Sequence, residues 1–210
     1  MTRVFIADDH ALIREGLKKT LQEQSDFTIV GEAQNASEVL ERIGASGSEI
    51  LILDLALPDR PGLEVLKEVK KNYPGIRVLI LSMFSEKHFA LRALRGGADG
   101  YLTKESASGE LVRALRRLAT GKRYISEALS NDLADMLQRG ETSTSHLDLS
   151  DREFQILRMI GAGMNVAEIA ADLKLSVSTV NTHRMHVLEK MKMQTNAELI
   201  RYAIENKLVE

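Results

Sequence analysis

Cysteine is absent from the 210 residues, which excludes disulfide bridges and thiolate metal ligands and fits a reducing compartment. Long apolar runs are also missing. The opening stretch from Met1 to Ala7 meets Asp8 and Asp9 too soon to act as a signal peptide, and no later segment is expected to span a bilayer. A soluble, cytoplasmic protein with no membrane partner is expected. Nor is there an excess of positive charge: 28 Lys and Arg stand against 30 Asp and Glu, a formal net charge of −2. A chain that coats nucleic acid indiscriminately needs a broad basic surface, so any contact with DNA has to be local. The length suits two ordinary domains, each with a core of its own.

The pattern of what is present changes along the chain. From Arg3 to about Ala119, short β-branched runs alternate with amphipathic stretches, which implies βαβ units around a parallel sheet. Strands are predicted at Val4–Ala7, Phe27–Gly31, Ile50–Asp54, Val78–Ser82 and Gly100–Thr103. Those beginning at 50 and 78 are continuously apolar, as strands covered on both faces must be. Helices are predicted near 11–23, 36–43, 62–71, 86–95 and 107–119, with Pro74-Gly75 and Gly96-Gly97 as stops. After Gly121 the strand pattern ends, and a helix is predicted near 127–138 behind Ser126 as N-cap. The small polar residues from Gly140 to His146 have the composition of a flexible connector. The expected organisation is a doubly wound α/β domain with a five-stranded parallel sheet over 1–121, a linker over 122–146, and a small all-α domain over 147–210. Four helices are predicted in the last, near 151–161, 166–172, 177–192 and 196–206.

In an open parallel sheet, ligands collect beyond the carboxyl ends of the strands. Asp8 and Asp9 end the first predicted strand, Asp54 the third and Ser82 the fourth, and Lys104 follows the fifth. Three carboxylates in one pocket repel, and a cation among them lets all stay ionised. Hard oxygen ligands without Cys or a nearby His point to Mg²⁺. Such an ion with the Lys104 ammonium would neutralise phosphoryl oxygens while a carboxylate attacks in line. Asp54, at the end of the central strand, is the natural nucleophile, and the product would be an aspartyl phosphate. An enzyme of the haloacid-dehalogenase kind would want a second acid two residues after the nucleophile, where this chain has Ala56.

These residues sit in motifs that resemble receiver domains, which have a flavodoxin-like fold. They are Asp8-Asp9-His10, Leu53 to Pro58 followed by Gly62-Leu63-Glu64, Leu81-Ser82-Met83, and Gly97 to Lys104. The resemblance implies that Asp8, Asp9, Asp54 and the backbone carbonyl of Ala56 hold Mg²⁺. It also implies that Ser82 and Lys104 grip the phosphoryl oxygens, and that the Tyr101 ring repositions when Ser82 is pulled inward. The donor would be a sensor histidine kinase, and the protein a phospho-acceptor with at most slow autodephosphorylation rather than an enzyme. Arg60-Pro61-Gly62 departs from the polar residue that many relatives carry before the glycine, and the proline stiffens the loop beside the site.

In the final domain, Ser150 stands three residues before Glu153, the spacing of a capping box. Val166–Leu173, the turn Lys174-Leu175 and a helix from Val177 capped by Ser176 read as a helix-turn-helix. On the last of these, Val177, Val180, Val187, Leu188 and Met191 share one face. Ser178, Thr182, Met185 and Glu189 share the other, with Asn181 at its flank. Asn in a major groove suits adenine. Cations and acids are nearly balanced from residue 145 onward, so the basic footprint is local: Lys174, Arg184, Lys190 and Lys192 against Glu189. Arg184 lies within the apolar stripe and is expected to snorkel to its edge.

Leu149 to Glu153, Gly163 to Ala170 and Leu175 to His183 resemble the LuxR-type helix-turn-helix of the NarL/FixJ class of response regulators. By that resemblance Lys174, Ser178, Thr179, Asn181, Thr182, Met185, Lys190 and Lys192 would meet double-stranded DNA. Many relatives carry Lys where this chain has Ala167 and Asn181. The helix from Asn196 would pair with its mate in a homodimer through Leu199, Ile200 and Ala203. Paired half-sites about one helical turn apart follow, with RNA polymerase as a further partner. His88, His146, His183 and His186 lack metal-ligand spacing and read as surface or partly packed imidazoles.

Overall fold

The computed structural model describes residues 1–83, 86–126, 130–131, 146–173, 175–206 and 208–209, without the side chains of 86–88 and 147. It divides into two compact units, Met1–Gln138 and Arg139–Glu210.

The first unit alternates strand and helix: β1 (Thr2–Ala7), α1 (Ala11–Gln22), β2 (Phe27–Ala33), α2 (Ala36–Arg42), β3 (Ile50–Leu53), α3 (Gly62–Asn72), β4 (Arg77–Ser82), α4 (Glu86–Arg95), β5 (Gly100–Thr103) and α5 (Ala107–Ala119). The sheet is parallel throughout, in the order β2-β1-β3-β4-β5. Every residue of β3 is buried, as its uninterrupted apolar sequence requires. Val4, Ile6, Ile52, Leu79 and Leu81 pack with Leu17 and Leu21 of α1 and with Leu111, Leu115 and Leu118 of α5. The alternate positions Phe5, Leu51, Leu53, Val78 and Ile80 are equally buried and, by the two-residue period of a strand, belong to the other face. The doubly wound architecture is therefore present. Three strands exceed their predicted lengths: β1 begins at Thr2, β4 begins at Arg77, and β2 runs to Ala33 because its pairing with β1, shifted by one residue after Val4, continues as far as Ala7. Glu32 interrupts the apolar pattern there, so the extension has no hydrophobic trace in the sequence.

Asp99 ties the sheet's far edge together. Its buried carboxylate accepts from the Val78 N–H at 2.9 Å, Lys70 at 2.9 Å and Arg77 at 2.7 Å. Burial opposes its charge, but these donors hold its pKa below the ordinary aspartate value. Tyr124, placed in the linker by the sequence, is 3% exposed within the core of this unit and bridges to Gly100 at the start of β5. The helix expected near 127–138 lies outside the described residues except at 130–131, which are helical.

The second unit has a 3-10 turn at His146–Asp148 and four helices: α6 (Asp151–Gly161), α7 (Val166–Asp172), α8 (Val177–Met191) and α9 (Asn196–Glu205). Reciprocal capping boxes at Ser150/Glu153, Asn165/Glu168 and Thr195/Glu198 start three of them, and Ser176 accepts from the Thr179 N–H at the fourth. Each cap engages N–H groups that the first helical turn cannot satisfy. A Cβ on Gly161 would lie 2.5 Å from Ala203 Cβ, so the missing side chain is what lets α6 and α9 approach. His146, assigned to the connector, is 2% exposed. It stacks on Phe154 at 5.4 Å, and its Nδ1 lies 2.9 Å from the Tyr202 hydroxyl.

Gly62 holds the loop after β3 in place: a Cβ there would stand 2.4 Å from the Asp54 carbonyl oxygen and 2.6 Å from Leu55 Cα. Gly62→Ala should cost the first unit about 1–3 kcal/mol through this overpacking. Gly75→Ala, with open space around the new methyl, should leave the melting temperature nearly unchanged.

Candidate phosphoryl-acceptor site and nucleic-acid interface

The carboxyl ends of β1 and β3 bring Asp8, Asp9 and Asp54 together. With His10, each offers one ligand atom, and all four atoms lie within 4.8 Å of one another. Asp8 and Asp54 are 1% exposed, and Ser82 and Tyr101 are fully buried. The Lys104 ammonium, on the chain leaving β5, stands 2.7 Å from both an Asp54 and an Asp8 carboxylate oxygen. The Lys104 N–H donates to the Ser82 carbonyl at 2.8 Å, so the backbone links both expected phosphoryl-gripping residues. The Ala56 N–H donates to Asp54 Oδ1 at 3.0 Å.

Burial raises the Asp54 pKa. The Lys104 and Ala56 hydrogen bonds and the Lys104 charge oppose that rise, and the Asp8 charge adds to it. Burial also works against the Lys104 ammonium, but its hydrogen bonds to Asp54 and Asp8 outweigh that and hold its pKa above the ordinary lysine value. One ammonium among three carboxylates leaves a net negative pocket. An oxygen-rich donor set of that kind fits a hard divalent cation.

Two neighbours were given no role on sequence grounds. His10 Nδ1 lies 2.6 Å from Asp9 Oδ1, which corrects the expectation of an acid site with no histidine nearby; its adjacency to the acid pair was the available signal. Arg14, on α1, donates to the Asp8 carbonyl at 2.7 Å and is buried.

In the second unit, Ser178 and Thr182 of α8 are exposed and Asn181 and Thr179 half-buried, while Met185 is 63% exposed. Val180, Val187 and Met191 form the inward stripe. Val177 does not: at 50% exposure the first residue of the helix projects beyond the domain's own core. Lys190 is exposed but paired, 2.7 Å from Glu153 Oε2. Lys192 is exposed and ends the helix in a left-handed conformation, φ 53°. Lys174 lies outside the described residues. Arg184 donates to Asn196 Oδ1 at 3.0 Å, a fixed contact rather than a free snorkelling charge. The expected pairing side of α9 needs correction. Leu199 and Ala203 are fully buried in the domain itself, Ile200 is half-buried, and the exposed large apolar residue of the helix is Ile204, at 60%.

Residues 4–116 match the family model described as response regulator receiver domain, and residues 147–203 match that of the bacterial regulatory proteins of the luxR family. The chain belongs to the response regulators. Its class is NarL/FixJ, whose members are phosphorylation-dependent transcription regulators rather than an enzyme family. The chain is 33% identical to the oxygen regulatory protein NreC of Staphylococcus epidermidis, over 99% of both chains. It is also 33% identical to the response regulator GacA of Pseudomonas viridiflava, over 100% of this chain and 99% of that one. Among solved structures, RcsB of Salmonella enterica serovar Typhimurium, bound to promoter rprA with phosphomimetic BeF3⁻, superposes with a TM-score of 0.71. The identity is 25%, covering 96% of this response regulator and 97% of RcsB. An RcsB–DNA complex superposes with a TM-score of 0.62 at 26% identity, covering 96% of both chains. No helix among the described residues is long and apolar enough to cross a membrane.

The raised Asp54 pKa means that the folded state holds that proton more tightly than the unfolded chain. Stability therefore falls as pH rises from the ordinary aspartate value through the raised one, and stays lower above it. At neutral pH in EDTA, Asp54→Asn should melt above the parent, and added Mg²⁺ should raise the parent's melting temperature more than the variant's. A variant melting below the parent would contradict this assignment of charge.

Glu153 shows the opposite sign. Burial disfavours its charge, but the Lys190 ion pair and the Ser150 hydrogen bonds hold its pKa below the ordinary glutamate value. Its contribution is present above that ordinary value and is lost as pH falls through the folded-state one. Glu153→Gln should destabilise the second unit by about 1–2 kcal/mol at neutral pH, and thermal melts should show the difference shrinking only in acid.

Proposed function

We propose that this response regulator accepts a phosphoryl group on Asp54 from a sensor histidine kinase and thereby controls DNA binding by its second unit. The observation that carries the reading is the Lys104 ammonium 2.7 Å from both the Asp54 and the Asp8 carboxylate. A buried cation in that position keeps a nucleophilic carboxylate beside a ready counter-charge for an incoming phosphoryl group. Asp8, Asp9, Asp54 and the Ala56 carbonyl would hold Mg²⁺, which when bound supplies further neutralisation of the phosphoryl oxygens. Asp54 attacks phosphorus as the bond to the donor's imidazole nitrogen breaks, and an acyl phosphate results. Lys104 and Ser82 then bind the transferred oxygens. The buried Tyr101 ring would follow Ser82 as the packed face beyond it switches between two arrangements. Arg60-Pro61 stiffens the loop beside Asp54, and autodephosphorylation is slow.

The domains we assign are a receiver over 1–121, a linker over 122–146 and the DNA-binding domain over 147–210, with Tyr124 and His146 anchoring the linker's two ends. RcsB structures described as a DNA complex and as two dimers on two parallel DNAs support extending DNA binding and dimerisation to this chain. Ser178, Thr179, Asn181, Thr182 and Met185 would enter the major groove, and Lys174, Lys190 and Lys192 would lie near phosphates. A cytoplasmic homodimer on paired half-sites, engaging RNA polymerase, completes the reading.

Incubation with Mg²⁺ and phosphoramidate, followed by intact mass, should give a single phosphoryl adduct that is absent in Asp54→Ala. Gel-shift affinity for a selected duplex should then rise with phosphorylation. Affinity unchanged by stoichiometric phosphorylation would sink the coupling, and catalytic turnover of simple phosphate esters would replace it with a hydrolase.

A further inference from the structure

The outward side of α8 is short of charge. Ser178, Asn181, Thr182 and Met185 carry none, and Glu189, one turn beyond Met185, is where that side turns acidic. Its hydroxyls are largely engaged within the chain. Thr182 Oγ1 donates to the Ser178 carbonyl at 3.1 Å. Ser178 Oγ and Thr179 Oγ1 lie 2.8 and 2.7 Å from Ser176 Oγ. What remains for a partner is mostly hydrocarbon: Met185, 63% exposed, Val177, 50% exposed, and the methyl group of Thr182. Asn181 adds an amide at the flank.

The major groove presents four chemistries. Guanine offers two acceptors, which suit Arg or Lys, and cytosine an amino donor, which suits a carboxylate. Adenine offers a donor and acceptor pair, which suits Asn, and thymine a C5 methyl, which suits an apolar group. Over the first three turns of α8 the outward side presents the last two complements, because the Arg184 guanidinium is held by Asn196 Oδ1 at 3.0 Å and the His186 ring faces Glu153 at 3.7 Å. We infer that this response regulator reads its half-site through thymine methyl groups packed on Met185 and Val177 and an adenine facing Asn181. Guanine goes unread beneath the helix. The inference rests on α8 being the recognition helix, as proposed above.

Duplex DNA is the occupant of this side, rather than a second copy of the chain. Two apolar side chains separated by small polar ones fall well short of the roughly 1,000 Å² that a stable protein interface buries. The same narrow profile suits a groove about 12 Å wide. Val177 lies in the first turn, the end of a recognition helix that meets base edges.

The full-length protein, with and without Mg²⁺ and phosphoramidate, would select duplexes from a random-core library. Each thymine of the enriched site is then replaced by deoxyuridine, which deletes the C5 methyl and leaves the pairing edge intact. At one or two positions per half-site, Kd should rise about fourfold per methyl lost. One of these penalties should vanish in Met185→Ala, whose melting temperature should match the parent because Met185 is exposed. Met185→Lys should shift the selected base beneath it toward guanine. An enriched site indifferent to deoxyuridine, or penalties that persist in both Met185→Ala and Val177→Ala, would overturn the inference and leave DNA binding standing. Enrichment of no duplex in either state would overturn the DNA-binding reading and the inference with it. Loss of dimer in Met185→Ala with unchanged Kd would give the patch to a second copy and overturn the inference alone.

Discussion

A single buried ammonium organises the first unit's chemistry. Lys104 reaches Asp8 at the end of β1 and Asp54 at the end of β3 from the far side of β4, so three parts of the sheet meet at one charge. Two carboxylates at 1% exposure would otherwise repel in a medium that screens them poorly. The parallel order puts every strand's carboxyl end on the same rim, and the register of β4 with β5 sets Ser82 opposite Thr103, next to Lys104. The acidic pocket, its counter-charge and the buried Ser82 and Tyr101 are thus consequences of one topology rather than separate features.

The second unit solves a different problem with the same means. Its helices are short, and isolated helices of such length are marginal in water. Caps at all four starts and close packing of α6 on α9 at Gly161 compensate. Glu153 joins the two strategies: its carboxylate closes the α6 capping box and holds Lys190 at the end of α8. A residue that looks like a routine helix-start acid is also a tertiary contact.

That double role shows where sequence reading works and where it stops. The strands β3 and β4, the helix spans and the capping boxes were legible because hydrophobic period and cap chemistry are local. The acid cluster was legible because strand ends in a parallel sheet converge. Contacts between distant segments were not. Lys190 counted as a free cation until it met Glu153, 37 residues away. Leu199 and Ala203 looked available for pairing, because an apolar helix face does not reveal whether its cover is the same domain or a mate. Val177 looked inward because helical period continues past the point where the core ends. Tyr124 and His146 sit in polar surroundings, and only tertiary packing draws them inward.

Those last two residues also move the edges of each unit. Tyr124 is seated in the core of the first and His146 is 2% exposed in the second, against Phe154 and Tyr202. A cut at the boundaries that composition suggests, after Gly121 or before Leu147, would therefore excise a buried ring from either unit. The cavity left behind would cost stability that no surface change could restore.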